Sequence, residues 1–140
     1  MMTELANRAV ACKGWRWLPG MLTLEEIVPP AITLGWDAAR VLHADEGEAV
    51  RVCTVFGKVR DIHDTACPDL RDPATVGALL ALVREAGDDN GLHVRCMRPY
   101  APLVGMTPPP WVLYSGRGQR WGDRHETEAA ALVAALEAAP

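Results

Sequence analysis

Apolar positions along the chain recur with two different spacings, and these divide it into helical and strand segments. The clearest helical segment is Asp72 to Gly87, DPATVGALLALVREAG. Val76, Leu79, Leu80 and Val83 follow the i, i+3, i+4, i+7 rule and form one stripe, widened by Ala78 and Leu82. Asp72 is placed to cap the free N–H groups of the first turn, and Pro73 falls where a missing N–H costs nothing. Arg84 lies near the negative end of the helix dipole, and Gly87 is expected to end the helix in a left-handed conformation. Thr75, Arg84 and Glu85 make up most of the polar face. The helix is therefore expected to be largely buried against a sheet.

A helix is also predicted from Thr3 to about Lys13, with Leu5, Ala9 and Cys12 on one face and Gly14 as its stop. Another follows Thr127, with Ala129, Leu132, Val133 and Leu136 as its stripe. Between the helices, alternation predicts strands. Trp15 and Trp17 suggest a short one. It is followed by a Leu18-Pro19-Gly20 turn and a partner from Met21 to about Leu24. Ile32, Leu34 and Trp36 alternate, whereas Asp37 to Leu42 reads as the start of a helical turn. Residues 49–57 alternate well, and Lys58 to Ile62 is the expected hairpin partner, with Phe56-Gly57 near the turn. Residues 63–71 read as a loop. Leu92 to Met97 and Trp111 to Ser115 are strands, and a short strand is expected near Arg120 and Trp121. Five prolines between 99 and 110 predict an extended loop.

This order predicts a single α+β domain over 1–140. Its antiparallel sheet carries helices mainly on one face, in the order helix, three to five strands, helix, two or three strands, helix. With 140 residues, the chain is long enough to bury a core without disulfides or metal. Net charge is −4, which argues against a general affinity for nucleic acid but leaves room for a local basic patch. The N-terminus has acidic Glu4 and no uninterrupted apolar run, so no secretory signal is expected. No segment approaches the ~20 apolar residues of a membrane helix. Cys12, Cys53, Cys67 and Cys96 are expected to be reduced thiols in the cytoplasm.

Chemistry is thinly marked. His63 and Cys67 with His93 and Cys96 are two His/Cys pairs at chelate-like spacing, the donor set of a tetrahedral zinc site. Against it, His93 and Cys96 fall on a strand, where residues three apart face opposite sides, and there is no CxxC knuckle. A buried Cys96 and exposed or hydrogen-bonded histidines are expected instead. Ser115 to Gly122, SGRGQRWG, superficially resembles a glycine-rich phosphate loop. The next helix starts too late for its N–H groups to meet phosphates at those glycines, so a hairpin loop is expected. Arg117, Arg120 and Arg124 with Trp121 form a basic stretch with one aromatic, in which Arg would hold phosphate and Trp would stack on a base. No hydrolase or metalloprotease motif occurs, and no cofactor is expected. Of the five tryptophans, Trp36 and Trp121 sit in the weakest structural context and are candidate protein contacts.

Three blocks, ELANRAVACKGWRWLPGM at 4–21, DPATVGALLALVREA at 72–86 and TEAAALVAALEAAP at 127–140, resemble small uncharacterised proteins from phages and prophages of proteobacteria. The resemblance implies a phage or prophage origin and an intracellular setting, and carries no activity or site residue. The functional expectation is a non-enzymatic accessory protein that binds another protein or a second copy of itself. The alternative is a nucleic-acid-binding module using Arg117, Arg120, Arg124 and Trp121, and the third is an enzyme without a recognisable motif.

Overall fold

The computed structural model describes residues 2–26, 36–97 and 111–140, apart from the side chains of residues 2, 26, 36 and 37. The predicted loop at 99–110 and the expected alternation at Ile32 and Leu34 lie outside the described residues. Three helices, α1 (Met2–Ala11), α2 (Pro73–Ala86) and α3 (Glu128–Ala138), accompany two antiparallel sheets. The fold is α+β.

In sequence order, the first sheet contains β1 (Leu22–Glu26), β2 (Trp36–His43), β3 (Arg51–Thr54), β4 (Val59–Asp61) and β5 (Cys67–Pro68). Its spatial order is β4-β3-β2-β1-β5. Thr23, Ala39, Val41 and Val52 share one face by register and are fully or almost fully buried. Glu25 and Arg60 lie on that same face, on β1 and β4, and form an ion pair. The backbone N–H of His63 also donates to Glu25 Oε1 at 3.2 Å. In a flat sheet, strands three places apart lie roughly 14 Å from one another, beyond the reach of a glutamate to a backbone amide. The sheet is therefore strongly curled, with this face concave.

Segment 37–42 is not a helical turn. Trp36–His43 is a strand because it hydrogen-bonds on both sides, to β1 and to β3, and burial of Ala39 and Val41 follows period two. The loop at 63–71 contains β5, whose two residues pair with Thr23 and Leu24. No strand forms at Trp15–Trp17. Those rings pack edge to face, centroids 5.4 Å apart, against the core. The Leu18-Pro19-Gly20 turn is present, with Met21 N–H donating to Leu18 O and Gly20 at φ 91°.

Asp72 caps α2 as expected, accepting from Thr75 N–H at 2.9 Å. It does more than cap. Arg40 of β2 donates to both of its oxygens (2.9 and 3.2 Å), and Thr75 Oγ1 donates to it while accepting from Leu22 N–H. Thr75 is thus a buried tie between α2 and the sheet, not part of a polar face. Burial pushes the Asp72 carboxyl up, but its hydrogen bonds from Arg40 and Thr75 outweigh this and hold it below the usual range. The buried stripe of α2 is Thr75, Leu79, Leu82 and Val83, while Val76 and Leu80 pack at its flank. Gly87 ends the helix at φ −90°, and the left-handed residue is Asp88.

The second sheet, β6 (His93–Cys96), β7 (Trp111–Tyr114) and β8 (Arg120–His125), has β7 in the centre. The helix at the middle of the fold is α3, which contacts α1, α2 and all three strands of this sheet. Its sequence EAAALVAALEA explains why: alanines let neighbours approach from several sides, and six of its residues are buried. The principal helix contact of α2 is therefore α3 rather than a sheet. Arg8 and Glu137 join α1 to the end of α3 by two hydrogen bonds, 2.8 and 2.7 Å.

Candidate functional site

Two hairpin turns have the same backbone. In Thr54-Val55-Phe56-Gly57-Lys58, Thr54 N–H donates to Lys58 O and Gly57 N–H to Thr54 O, both at 2.9 Å. Lys58 N–H donates to Thr54 Oγ1 at 3.2 Å. In Ser115-Gly116-Arg117-Gly118-Gln119 the equivalent bonds are 2.8, 2.9 and 3.1 Å. Gly57 and Gly118 occupy the left-handed position at φ 76° and 79°. This is a type I turn closed by a glycine bulge, in which the hydroxyl of the first residue ties the last. The geometry requires the first residue and the glycine. It asks nothing of the two residues between them.

The first turn fills those two positions with Val55, 72% exposed, and Phe56, 93% exposed. Phe56 is the chain's one phenylalanine. Val59, next along β4, and Leu42 on β2 are also about half exposed. Of the seven exposed large apolar side chains among the described residues, these four belong to the β2–β4 part of the first sheet. Single exposed apolar residues are ordinary, but a group of them ending in a bare aromatic ring is not.

The second turn fills the same positions with Gly116 and Arg117. Gly116 is held by close backbone approach: a Cβ there would meet Asp89 Oδ1 at 2.7 Å and Gly91 Cα at 3.0 Å. Asp89 accepts from Gly116 N–H (2.9 Å) and Gly91 N–H (3.0 Å). Hydrogen bonds from Gly116 first, then from Gly91 and Leu92, hold its carboxyl below the usual range. Gly116 is thus a packing residue, Gly118 a turn residue, and Gly122 a left-handed irregularity in β8. None of the three cradles a phosphate.

Register places His93, Arg95, Tyr114 and Arg120 on the face of the second sheet opposite α3. The His93 ring stacks on Tyr114, with centroids 5.8 Å apart and planes within 17°. The Arg95 guanidinium lies over the Tyr114 ring, 5.4 Å from its centroid. His93 Nδ1 bonds to Gly91 O at 2.9 Å, which makes Nδ1 the protonated nitrogen. Tyr114 Oη donates to Met97 Sδ at 3.6 Å. The described residues of this sheet and its turn carry Arg95, Arg117, Arg120 and Arg124 against Asp123 alone.

The structure therefore divides the basic set foreseen from sequence. Arg120 pairs with Tyr114 on the face opposite α3, whereas Trp121 pairs with Leu113 on the α3 side. Arg117 is at the turn tip, near enough to Asp89 to lower its carboxyl further, and Arg124 is exposed beyond the irregularity at Gly122. Trp121 is 39% exposed. Trp36 opens β2, and its side chain is outside the described part. Arg95, Tyr114, Val55 and Phe56 were not singled out by sequence. For Phe56 a signal existed, since the Thr-x-x-Gly turn leaves its two middle positions to solvent.

His63, Cys67, His93 and Cys96 do not come together as a metal site. Their ligand atoms form no cluster among the described residues. Cys67 Sγ faces Leu24 O, His93 Nδ1 is bonded to Gly91 O while its Nε2 is buried without a hydrogen-bond partner, and His63 Nε2 is 3.7 Å from Glu25 Oε2. His43, Asp45 and Glu48 do cluster, with His43 Nε2 at 3.2 Å from Asp45, but all three are exposed surface groups.

Nucleophiles are poorly placed. Burial pushes the Cys12 and Cys67 thiols up, which makes them less reactive, and nearby Glu137 and Asp69 respectively add to this. A groove of about 520 Å³ between the starts of α2 and α3 is lined by Leu70, Val76, Trp111 and Ala129, with Arg71 and Glu128 at its sides. Arg71 is already engaged by Asp69 (2.9 Å). Among the described residues, no nucleophile and base converge there. Comparison with protein-family models, with curated proteins and with solved structures finds no match.

Proposed function

We propose that this protein is a non-enzymatic phage or prophage accessory protein that works by binding another protein through its β3–β4 hairpin. The observation that supports this reading is Phe56, 93% exposed at a turn position whose backbone requires no aromatic residue. Leaving an aromatic ring in water forgoes roughly 2 kcal/mol of burial, which a partner's pocket recovers. Aromatic anchors of this kind are typical centres of binding energy. Lys58 is the charged residue next to the tip, so the expected partner offers an apolar cleft with an acidic group at its rim.

The test is quantitative capture from host lysate on immobilised wild type, Phe56→Ser and Lys58→Glu, together with light scattering of each in solution. A partner held by wild type, lost with Phe56→Ser and weakened with Lys58→Glu, is the expected result. Equal capture on all three overturns the reading. A wild-type dimer that Phe56→Ser dissociates overturns the hetero-partner and makes the occupant a second copy.

A further inference from the structure

We propose that the second sheet binds single-stranded nucleic acid, independently of the apolar hairpin, on the part of its face opposite α3 where Arg95 and Arg120 are exposed around the half-buried Tyr114; Val112, on the same face, is covered. Three separate observations converge there. Tyr114 lies on the central strand as a planar platform, flanked by the His93 ring in near-parallel orientation. Arg95 and Arg120 stand on the strands at either side of it, on the same face, and both are exposed. The sheet and its turn carry four arginines and one aspartate in a chain whose net charge is −4. Two of these arginines, Arg95 and Arg120, share the face of the flat rings.

Each part matches one component of the ligand. Arginine holds phosphate through its planar fork, and it also stacks on flat rings. Arg95 already lies over Tyr114, so an incoming base stacks on the guanidinium or takes its place on the ring. Bases stack on aromatic platforms without regard to sequence, because every base has a π-face. The base faces of a duplex are already stacked, so the ring contact favours a single strand. An acidic peptide would satisfy the arginines but leave Tyr114 unused. The participating residues differ from the set suggested by the basic stretch alone, since Trp121 is on the other side of the strand.

The experiment is fluorescence anisotropy of the full chain with a labelled oligo-dT and a labelled oligo-U of about 20 nucleotides, and with a duplex of the same length. Titrations run from about 50 to 200 mM salt. Single strands are expected to bind more tightly than duplex, with affinity falling as salt rises. Tyr114→Ala should weaken binding about 5- to 100-fold, while Tyr114→Phe, which keeps the ring, should stay close to wild type. The exposed pair Arg95→Ala/Arg120→Ala should reduce the salt slope by about 1.4, two phosphate contacts at roughly 0.7 each. That pair decides the matter if Tyr114→Ala fails to fold. No binding at low salt, equal binding of duplex, or displacement by polyglutamate with the Arg95/Arg120 variant unchanged would each overturn the proposal.

Discussion

The Thr54–Lys58 and Ser115–Gln119 turns share one hydrogen-bond pattern, one left-handed glycine and one hydroxyl clamp, yet they present opposite surfaces. One exposes Val55 and Phe56, the other Gly116 and Arg117. Because the backbone is the same, turn formation does not explain the difference in side chains. The two turns also differ in what lies beneath them. Below the first, the nearest tie is the Glu25–Arg60 pair on the concave face. Below the second, Asp89 holds the turn directly through Gly116 N–H. Among the described residues no side chain from outside the apolar turn bonds its amides, whereas the basic one is fastened to a loop.

Substitutions can break this comparison at its base or refine it at its tips. The largest effect is expected from Arg60→Ala, which leaves Glu25, 1% exposed, without its guanidinium. Unpairing a buried charge costs about 3–5 kcal/mol, read as a lower midpoint in urea unfolding. Gly116→Val should cost about 1–3 kcal/mol in the same assay, because its Cβ runs into Gly91 Cα and the Asp89 carboxylate. Val55→Ala at the equivalent position should be nearly silent. Gly57→Ala and Gly118→Ala should each cost about 1–2 kcal/mol for the left-handed conformation, with no clash, since open space surrounds both. Costs that differ clearly between the two would mean that the turns are not equivalent.

A pH titration separates the turns without mutation. The Asp89 carboxyl is held below its ordinary value, so its contribution is fully present above about pH 3.9 and is lost as pH falls through the lower folded-state value. Hydrogen exchange at Gly116 N–H should accelerate across that acid window. Gly57, whose turn has no carboxylate on its amides among the described residues, should not follow it. The smallest effect on stability is expected from Phe56→Ser, within about 0.5 kcal/mol in thermal melting, because the ring buries almost nothing.

Local signals in the sequence were enough for the helices, the Leu18-Pro19-Gly20 turn and the β3–β4 hairpin. Their determinants lie within a few residues of one another, as with Asp72 and Thr75 or Thr54 and Gly57. What escaped depends on distant partners. Segment 37–42 has a composition suited to either state and becomes a strand because β1 and β3 flank it. Thr75 appears polar until Leu22, 53 positions away, donates to it. Glu25 has no charged partner nearby in sequence, and only the curl of the sheet brings Arg60, 35 positions away, to it. The basic face was half legible. The arginines are adjacent in sequence, but only the register of β8 against β7 shows that Arg120 joins Tyr114 while Trp121 turns away.

The position of β1 between β2 and β5 has a consequence for the order of assembly. Strands β3 and β4 are joined by a tight turn and can zip together at little cost in chain entropy. The pairing of Leu24 with Cys67 must wait until the chain has run through the whole meander. That pairing rests on two residues, and it comes with the approach of His63 to Glu25. Closure of the sheet is thus its pairing of greatest sequence separation, resting on its shortest strand. Until it happens, one edge of β1 remains an open template for the wrong neighbour.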